Sequence, residues 1–546
     1  MNRLKGTLNY HKKGILTLIL ALIFIWSLFS VNWGSELMHT GGKSTFMQII
    51  YALLHPAITG EIIKLGFKSA GITLAYAVAG MTLAFIFAVI FGTLASGILA
   101  ENEISRKTSK GIFRGILGFM RAIHELVWAF LFVASVGLTP FAAIFALAIP
   151  YGGNLGKIYA DILNDVTSEP IKALRASGAS KLQLLIYGYL PMAKVDMISY
   201  TMYRFECAIR SSTIMSFVGL GGLGFQIQLS LQDLNYSEVW TFMFFLTALV
   251  VLIDSWSNSF RNAFLTVGTK VKKFNVVKFS YFLSVILIIG SWMFIFVVDK
   301  ADFFGMFTEK NLMFTKKFIS RLLGINEASP AFLNKESLVK ALKLTYETLQ
   351  MSIMAIGFAT IAMLITVIPA ARNVADGTIT LKKRWYRWLI FGVIRSVYIF
   401  SRAVPELVWA MIIVFILKPG ILPGALALGI HNFGILGKLC SEVIEDLEMR
   451  PVRNLASCGA NSHQMFFYGV IPMVMPKFIT YILYRGEVIL RTTITVGFVG
   501  AGGLGQQFKL SMSYFKYTEI TLILICYILL VLLAELLSGV ARKLSE

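Results

Sequence analysis

The sequence predicts an all-α polytopic membrane protein built from two parallel repeats of six helices, with about 12 transmembrane helices in total. Two observations lead to this prediction. The first is composition: apolar residues make up 57% of the 546 residues and charged residues only 14%, whereas soluble domains average about 45–50% and about 25%. The second is an internal repeat, because the C-terminal half of the chain resembles the N-terminal half at a fixed spacing.

Apolar runs that approach or exceed the roughly 20 residues needed to span a bilayer recur along the chain. The first run follows Lys12 and Lys13 and is not trailed by a small-residue cleavage site, so we expect a retained helix and not a signal peptide. The predicted spans lie near residues 14–33, 68–99, 112–138, 140–163, 191–218 and 237–259, and then near 278–298, 338–371, 388–417, 420–440, 472–499 and 517–541.

The repeat is clearest where RAIHELVWA, beginning at Arg121, returns as RAVPELVWA, beginning at Arg402, an offset of 402 − 121 = 281 residues. The same offset applies without insertion from Arg121 to Ser230. Six spans per half give both halves the same orientation, which is a parallel repeat. We therefore predict halves at residues 1–265 and 266–546, with both termini on the cytoplasmic side.

The net charge of +21 is concentrated in short segments that all fall on one side of the membrane if the helices alternate. Such a distribution follows the positive-inside rule. Membrane lipid is then the expected anionic partner, and we predict no nucleic-acid binding. The segments are Arg3 to Lys13, Arg106 to Arg114, Lys270 to Lys278, Lys382 to Arg387 and Arg542 with Lys543.

We do not expect an enzyme active site in this chain. The four cysteines have no metal-ligand spacing, and the six histidines form no HExxH motif, since Trp128 stands where the second histidine would follow His124. Residues 41–45, GGKST, imitate the end of a phosphate-binding loop, but Leu37 occupies the place of its first glycine. We predict no catalytic residue, no metal site and no nucleotide site in this chain.

Two polar segments that could form amphipathic helices lie at about 165–187 and 446–468, between the fourth and fifth spans of each half. A duplicated amphipathic helix on the cytoplasmic side suits a docking element for a partner protein. The alternative is an interfacial helix that lies on the lipid surface. The residues alone leave both interpretations open.

The sequences of these segments resemble the EAA loop of ABC importer permeases, the coupling helix that enters a groove on the ATPase. They read KALRASGASKLQLLIYGYLP and RNLASCGANSHQMFFYGVIP, although Lys172 and Arg453 replace the acidic residue that opens the family motif. The resemblance implies that the ATPase is contacted by Ala173, Gly178, Ala179, Pro191, Leu455, Gly459, Ala460 and Pro472.

Three further duplicated motifs look like the permease of phosphonate-type ABC importers, a group that includes phosphite and hypophosphite systems. They are RAIHELVWA and RAVPELVWA, NLGKIYADILND and ILGKLCSEVIED, and FVGLGGLG and FVGAGGLG. His124 departs from the proline usual in the family at that point, which Pro405 retains. The resemblance covers nearly all of each half and implies two fused permease halves of the type I, methionine-importer-like fold.

The same resemblance implies that the chain is a non-enzymatic subunit in the bacterial cytoplasmic (inner) membrane. Its expected partners are a homodimeric ATPase, which would bind ATP and Mg²⁺, and an extracytoplasmic phosphonate-binding protein. This chain itself would hold no cofactor. Two alternatives remain from the sequence: an importer permease for methionine or quaternary amines, and an ion-coupled secondary carrier.

Ionisable residues repeat within the fifth span of each half, where an unpartnered charge would be costly. One interpretation is that the Glu–Arg pairs one turn apart are internal ion pairs that fix helix packing. The other is that Arg204 and Arg485 line the substrate pathway and offer guanidinium groups to an oxyanion. The residues concerned are Arg204, Glu206, Arg210, Arg485, Glu487 and Arg491.

Glycines cluster after the fifth span of each half, where they would allow unwound backbone. They are interpreted either as an outer gate or as a tight turn. At the start of the third span, Glu125 and Glu406 follow Arg121 and Arg402 by four residues, which predicts ion pairs along one helix face. The glycines are Gly219, Gly221, Gly222, Gly224, Gly500, Gly502, Gly503 and Gly505.

Overall fold

A computed structural model describes residues 12–31, 33, 37–219, 221–265, 270–325, 327, 329–379 and 384–545. The basic residues Arg3, Lys5 and Lys382 and the predicted start of the second half at 266 lie outside these ranges. Across the described ranges the regular elements are helices, and one isolated bridge joins Met38 and Leu417. The predicted all-α class is confirmed.

The described residues form two compact units, one from residues 51–320 and the other from 1–50 together with 321–546. The helices up to residue 320 in the first of these are Gly60–Ser96, Glu103–Ala122, Glu125–Val136, Pro140–Asp165, Ser168–Ala176, Lys181–Gln183, Leu190–Met215, Leu223–Gln232, Tyr236–Leu265 and Lys270–Met293, with π-helical turns at Leu184–Tyr189 and Phe294–Val298 and 3₁₀ turns at Ser216–Val218 and Phe304–Phe307.

The other unit contains a similar series of helices. Its helices are Lys12–Leu28, Lys335–Thr366, Arg372–Ala375, Trp385–Ala403, Glu406–Ile416, Ile421–Glu445, Arg450–Ser457, Ser462–Gln464, Ile471–Gly497, Gly503–Ser513 and Tyr517–Ser545, with a π-helical turn at Met465–Val470 and a 3₁₀ turn at Ala331–Leu333. Two helices contain the points in the sequence at which one unit ends and the other begins, between residues 50 and 51 and between residues 320 and 321. They are Gly42–Leu54 and Glu309–Leu322.

The first helix of each sequence half packs in the unit formed by the other half. Lys12–Leu28 lies against Lys335–Thr366, where the Phe24 and Phe358 rings meet edge to face with centroids 5.8 Å apart. The helix Lys270–Met293 lies against Gly60–Ser96 and Tyr236–Leu265, and Trp256 Nε1 donates a hydrogen bond of 3.1 Å to Ser280 Oγ. The compact units are therefore not identical with the halves of the sequence repeat.

Seven described helices are long and apolar enough to cross a membrane, and two bent pairs bring the number to nine. The seven are Gly60–Ser96, Pro140–Asp165, Tyr236–Ala263, Val276–Val298, Lys335–Thr366, Met465–Gly497 and Tyr517–Arg542. Thr17–Leu28 is a shorter apolar helix. The predicted spans 191–218 and 420–440 are also helical, but polar residues along them, such as Arg204 and His431, keep them outside the seven.

The predicted third spans at 112–138 and 388–417 are each divided by a sharp bend. Glu103–Ala122 meets Glu125–Val136 at 88°, and Trp385–Ala403 meets Glu406–Ile416 at 95°. Extended backbone causes both breaks: His124 has φ −68° and ψ 147°, and Pro405 has φ −61° and ψ 152°. The apolar pattern continues across each break, so hydropathy alone predicted one helix.

Candidate functional site

Arg204 lies half-buried on the helix Leu190–Met215 and is held by aromatic side chains of the same helix. Its Nε donates a hydrogen bond of 2.9 Å to the hydroxyl of Tyr200. The guanidinium carbon lies 5.3 Å from the ring centre of Tyr200 and 5.9 Å from that of Tyr203. These are cation–π distances, so two rings fix the plane of the guanidinium.

Arg485 occupies the equivalent place on Ile471–Gly497 but is held differently. Its Nε donates a hydrogen bond of 3.0 Å to Asn432 Oδ1, and its Nη2 donates to the same oxygen. Asn432 belongs to the preceding helix, Ile421–Glu445. The repeat offset places Tyr151 at the equivalent position, since 432 − 281 = 151. The two pathway arginines of the sequence prediction therefore have different environments.

Glu206 and Glu487 are 6% and 7% exposed, and each meets an arginine of the last helix in its own sequence half, Tyr236–Leu265 or Tyr517–Ser545. Glu206 Oε1 lies 3.4 Å from Arg261 Nη2, and Glu487 Oε2 lies 3.5 Å from Arg542 Nη1. Neither arginine is among the site residues predicted from the sequence. Their spacing of 542 − 261 = 281 residues was the available signal.

The ion pairs expected one turn apart differ between the two units. Glu487 Oε1 lies 2.6 Å from Arg491 Nη2, so this predicted pair is present. In the other unit, Arg210 Nη2 lies 3.3 Å from Cys207 Sγ, and the ion pair of Glu206 is with Arg261. Among the described residues, Glu487 thus has ion pairs with Arg491 and Arg542, and Glu206 has one with Arg261.

The residues at the breaks of the third span form contacts that the sequence did not predict. Arg121 lies before the break and Glu125 after it, so the two residues are on different helices and not one turn apart on the same helix. Ser211 Oγ donates a hydrogen bond to Glu125 Oε1, and the Tyr151 hydroxyl is 2.8 Å from Ser211 Oγ. His124 Nε2 lies 3.5 Å from Glu125 Oε2.

Glu406, at the equivalent break, also contacts an imidazole, and here too the turn separates it from Arg402. His431 Nε2 lies 3.6 Å from Glu406 Oε2, and His431 Nδ1 is 2.8 Å from the carbonyl oxygen of Val404. A carbonyl can only accept, so His431 carries a proton on Nδ1. His124 Nδ1 instead accepts from the Leu126 amide at 3.2 Å.

The glycine clusters connect the fifth span to a short helix that the span prediction did not include. Gly222 and Gly503 have φ of +93° and +66°, a region that favours glycine. The amides that follow, Leu223 N–H and Leu504 N–H, each donate a 2.9 Å hydrogen bond to a threonine, Thr73 Oγ1 and Thr348 Oγ1 respectively. Positive φ is also found at Gly219, Gly221, Gly500 and Gly502, while Gly224 and Gly505 lie within the short helices.

The two polar segments predicted at about 165–187 and 446–468 form the same capped helix–turn–helix unit. After Ser168–Ala176, Gly178 adopts φ +82° and the Ala179 amide donates to Leu174 O at 3.2 Å. After Arg450–Ser457, Gly459 adopts φ +86° and the Ala460 amide donates to Leu455 O at 3.1 Å. This is the Schellman arrangement that ends helices at a glycine.

Each of these short helices has one buried residue, Ile171 or Val452, which packs on the π-helical turn that follows it. The rest of the segment is open or half-open to solvent. Ala173, Gly178, Pro191, Gly459 and Pro472 are exposed, and Ala179, Leu455 and Ala460 are half-buried. Each segment therefore has one face that packs on the π-helical turn and one face that is exposed.

These features define a class of protein, a multi-pass membrane protein of two similar helical units. Each unit has charged residues on the fifth-span helix, Leu190–Met215 or Ile471–Gly497, and an exposed polar segment before that helix. The family model for the binding-protein-dependent transport system inner membrane component matches residues 92–265 and 368–546. The chain belongs to this family. It is therefore the permease component of an ABC importer, a multi-pass protein of the bacterial inner membrane whose partners are an ATPase and a substrate-binding protein.

Similar proteins carry related names. The chain is 28% identical over 474 residues to the phosphate-import permease protein PhnE of Mycolicibacterium smegmatis, covering 86% of this chain and 84% of that protein. It is 34% identical over 192 residues to the phosphite transport system permease protein PtxC of Stutzerimonas stutzeri, covering 35% and 68%. A structure of the MetNI methionine ABC transporter in inward-facing conformations covers 39% of this chain and 99% of that chain, at 15% identity and a TM-score of 0.35.

Proposed function

We propose that this permease imports phosphonate-type anions: a phosphonate, phosphite or a closely related oxyanion. The observation that carries the proposal is the presence of one oriented arginine on the fifth-span helix of each unit, Arg204 and Arg485. Guanidinium groups match the oxygens of phosphorus oxyanions in shape and charge. The relatives named for phosphate and phosphite transport support the same substrate class.

In this proposal Arg204 and Arg485 contact the anion as it passes. The buried carboxylates Glu206 and Glu487 would repel the anion if they were unpaired. Their ion pairs with Arg261 and Arg542 offset that charge. The arginines one turn beyond, Arg210 and Arg491, add positive charge to the same helices.

The energy would come from a homodimeric ATPase that binds ATP and Mg²⁺ and docks on the two exposed cytoplasmic segments. Rigid Schellman turns suit this role, because a push on one face is transmitted to the π-helical turn beneath it. ATP-driven closure would swing the units between outward-facing and inward-facing states, as in alternating access. The glycine clusters would then act as an outer gate near the phosphonate-binding protein, with both termini in the cytoplasm.

The experiment is uptake into proteoliposomes that contain this chain, its ATPase and its binding protein. The compounds are phosphite, methylphosphonate, 2-aminoethylphosphonate, phosphate, methionine and glycine betaine. We expect ATP-dependent uptake of at least one phosphorus oxyanion. Uptake of methionine or glycine betaine alone would show a different substrate class, and concentrative uptake without the ATPase would show a secondary carrier.

The arginines are tested in the same system with Arg204→Gln and Arg485→Gln. Both should abolish uptake while the ATPase still copurifies with the permease. Lys107→Gln is the matched control, since it also removes one positive charge but from an ion pair whose two side chains are 76% and 72% exposed, where such pairs contribute little. Normal uptake by both arginine variants would remove them from the pathway.

A further inference from the structure

Each unit places one imidazole against the acidic residue that follows the break in its third span. The distances are nearly equal: 3.5 Å from His124 Nε2 to Glu125 Oε2, and 3.6 Å from His431 Nε2 to Glu406 Oε2. The four side chains are between 6% and 13% exposed. A contact repeated at this depth indicates a shared requirement, since burying these groups without partners would be costly.

The two histidines do not occupy equivalent positions in the repeat. The counterpart of His124 is Pro405, because 124 + 281 = 405, and the counterpart of His431 is Pro150, because 431 − 281 = 150. Each unit therefore has one histidine and one proline at these two positions, in opposite order. As a result, one imidazole contacts the carboxylate after the break in each unit. In one unit the imidazole belongs to His124 at the break itself, and in the other it belongs to His431 on the following helix.

The backbone at the break does not depend on which residue is present. His124 and Pro405 differ by only a few degrees in φ and ψ. The residues before them, Ile123 with ψ 130° and Val404 with ψ 124°, are extended, as a following proline requires. The turn is thus formed equally well without an imidazole, so the contribution specific to His124 is its side chain.

Both pairs are joined to the helix that carries the pathway arginine. Glu125 accepts a hydrogen bond from Ser211, which lies on the same helix as Arg204. In the other unit, His431 is followed directly by Asn432, whose oxygen accepts the hydrogen bonds of Arg485. We call the helix that carries Arg204 or Arg485, Leu190–Met215 or Ile471–Gly497, the arginine helix. A shift of the carboxylate or of the imidazole would therefore move a residue that contacts the arginine helix or lies next to such a residue.

We propose that His124 and His431 are positioning residues: one imidazole per unit fixes the acidic residue at the break and thereby sets the arginine helix. The position that supplies the imidazole is interchangeable between 124 and 150, or between 405 and 431. The effect on transport rests on the proposed function, in which the arginines meet the anion. The effect on the helix does not.

The test moves the imidazole from one position to the other in the unit of residues 51–320. The variants are His124→Pro, Pro150→His and the double variant with both changes, each in the complete complex with its ATPase and binding protein. His124→Pro should lower the maximal uptake rate about tenfold, which corresponds to losing a polar contact that contributes about 1.4 kcal/mol. The double variant should return to within about twofold to threefold of the wild type, and Pro150→His alone should remain near it.

A second readout needs no transported anion. Cys207 lies one turn before Ser211 on the arginine helix and is partly exposed. Its alkylation by N-ethylmaleimide, followed by mass spectrometry of its peptide, should become several-fold faster in His124→Pro and return to the wild-type rate in the double variant. His124→Asn, which keeps a side chain able to cap the Leu126 amide but is too short to reach Glu125, should behave like His124→Pro.

The possible results separate this inference from the proposed function. Absent wild-type uptake of all four phosphorus anions would contradict the substrate class, and Cys207 alkylation would still decide the role of the pair. A double variant that is as impaired as His124→Pro in both readouts would overturn the interchangeable imidazole. A His124→Pro protein with wild-type uptake and alkylation would overturn the positioning role itself.

Discussion

Glu487 lies between two arginines, Arg491 at 2.6 Å on the same helix and Arg542 at 3.5 Å on the last helix. The equivalent carboxylate, Glu206, has its ion pair with Arg261 at 3.4 Å. Both carboxylates are nearly inaccessible to solvent. The last helix of each sequence half, Tyr236–Leu265 or Tyr517–Ser545, is therefore joined by an ion pair to the helix that carries the carboxylate. Among the described residues, Glu487 also has the ion pair with Arg491 on its own helix.

This difference predicts unequal effects when the last-helix arginines are removed. Arg261→Gln removes the ion pair of the buried Glu206 carboxylate and should destabilise the complex by about 3 kcal/mol. Arg542→Gln should cost less, about 1 kcal/mol, since Arg491 remains beside Glu487. Thermal unfolding of the purified complex measures both. Adding Glu206→Gln to Arg261→Gln should recover part of the loss, and equal losses in the two single variants would contradict the interpretation.

Arg204 and Arg485, the arginines proposed to line the pathway, have different environments. We therefore predict that uptake depends to different degrees on the residues that hold them. Tyr200→Phe removes one hydrogen bond from Arg204 but keeps the ring beneath the guanidinium, so uptake should fall by no more than about fivefold. Asn432→Ala removes the acceptor of two N–H groups of Arg485 and should reduce uptake by about 10-fold to 100-fold. Uptake rates normalised to the amount of complex test this order, which the reverse result would refute.

The glycine clusters predict a strict requirement for glycine at Gly222. A Cβ atom there would lie 2.8 Å from Thr73 Oγ1, and its φ of +93° is unfavourable for any other residue. Gly222→Ala should therefore destabilise the complex by about 1–3 kcal/mol and reduce uptake. Gly118→Ala is the matched control, since a Cβ there meets nothing within 4 Å and alanine favours the helix. Equal stability of the two variants would argue against a fixed turn.

The glycine turns at Gly178 and Gly459 give a prediction that separates folding from docking of the ATPase. A Cβ at Gly178 or Gly459 would meet nothing within 4 Å, so alanine there costs only the backbone strain of positive φ, about 1 kcal/mol. Ala173→Asp lies on the exposed face and should leave the permease stable but weaken copurification of the ATPase. Ser177→Ala, also exposed, is the control. Full retention of the ATPase by Ala173→Asp would place the docking surface elsewhere.

The repeat, the helical class and the family could be predicted because each depends on patterns that extend over many residues. The breaks at Ile123–His124 and Val404–Pro405 could not, since the apolar run continues across them and only one carries a proline. The contact of His431 with Glu406 had a signal in the sequence, the reversed order of histidine and proline at equivalent positions. The arginines of the last helices lie about 55 residues beyond their carboxylate partners, too far apart for helix periodicity to relate them.

The exchange of first helices has a consequence for how the protein is made. Lys12–Leu28 leaves the ribosome well before its packing partner, which begins at Lys335, 335 − 28 = 307 residues later. At about 5–20 residues per second, that interval is roughly 15–60 s. During this time the helix must stay in the bilayer without its native neighbour, so its strongly apolar sequence has to secure insertion on its own. The order of synthesis thus delays the packing of Lys12–Leu28 until the helix Lys335–Thr366 has been made.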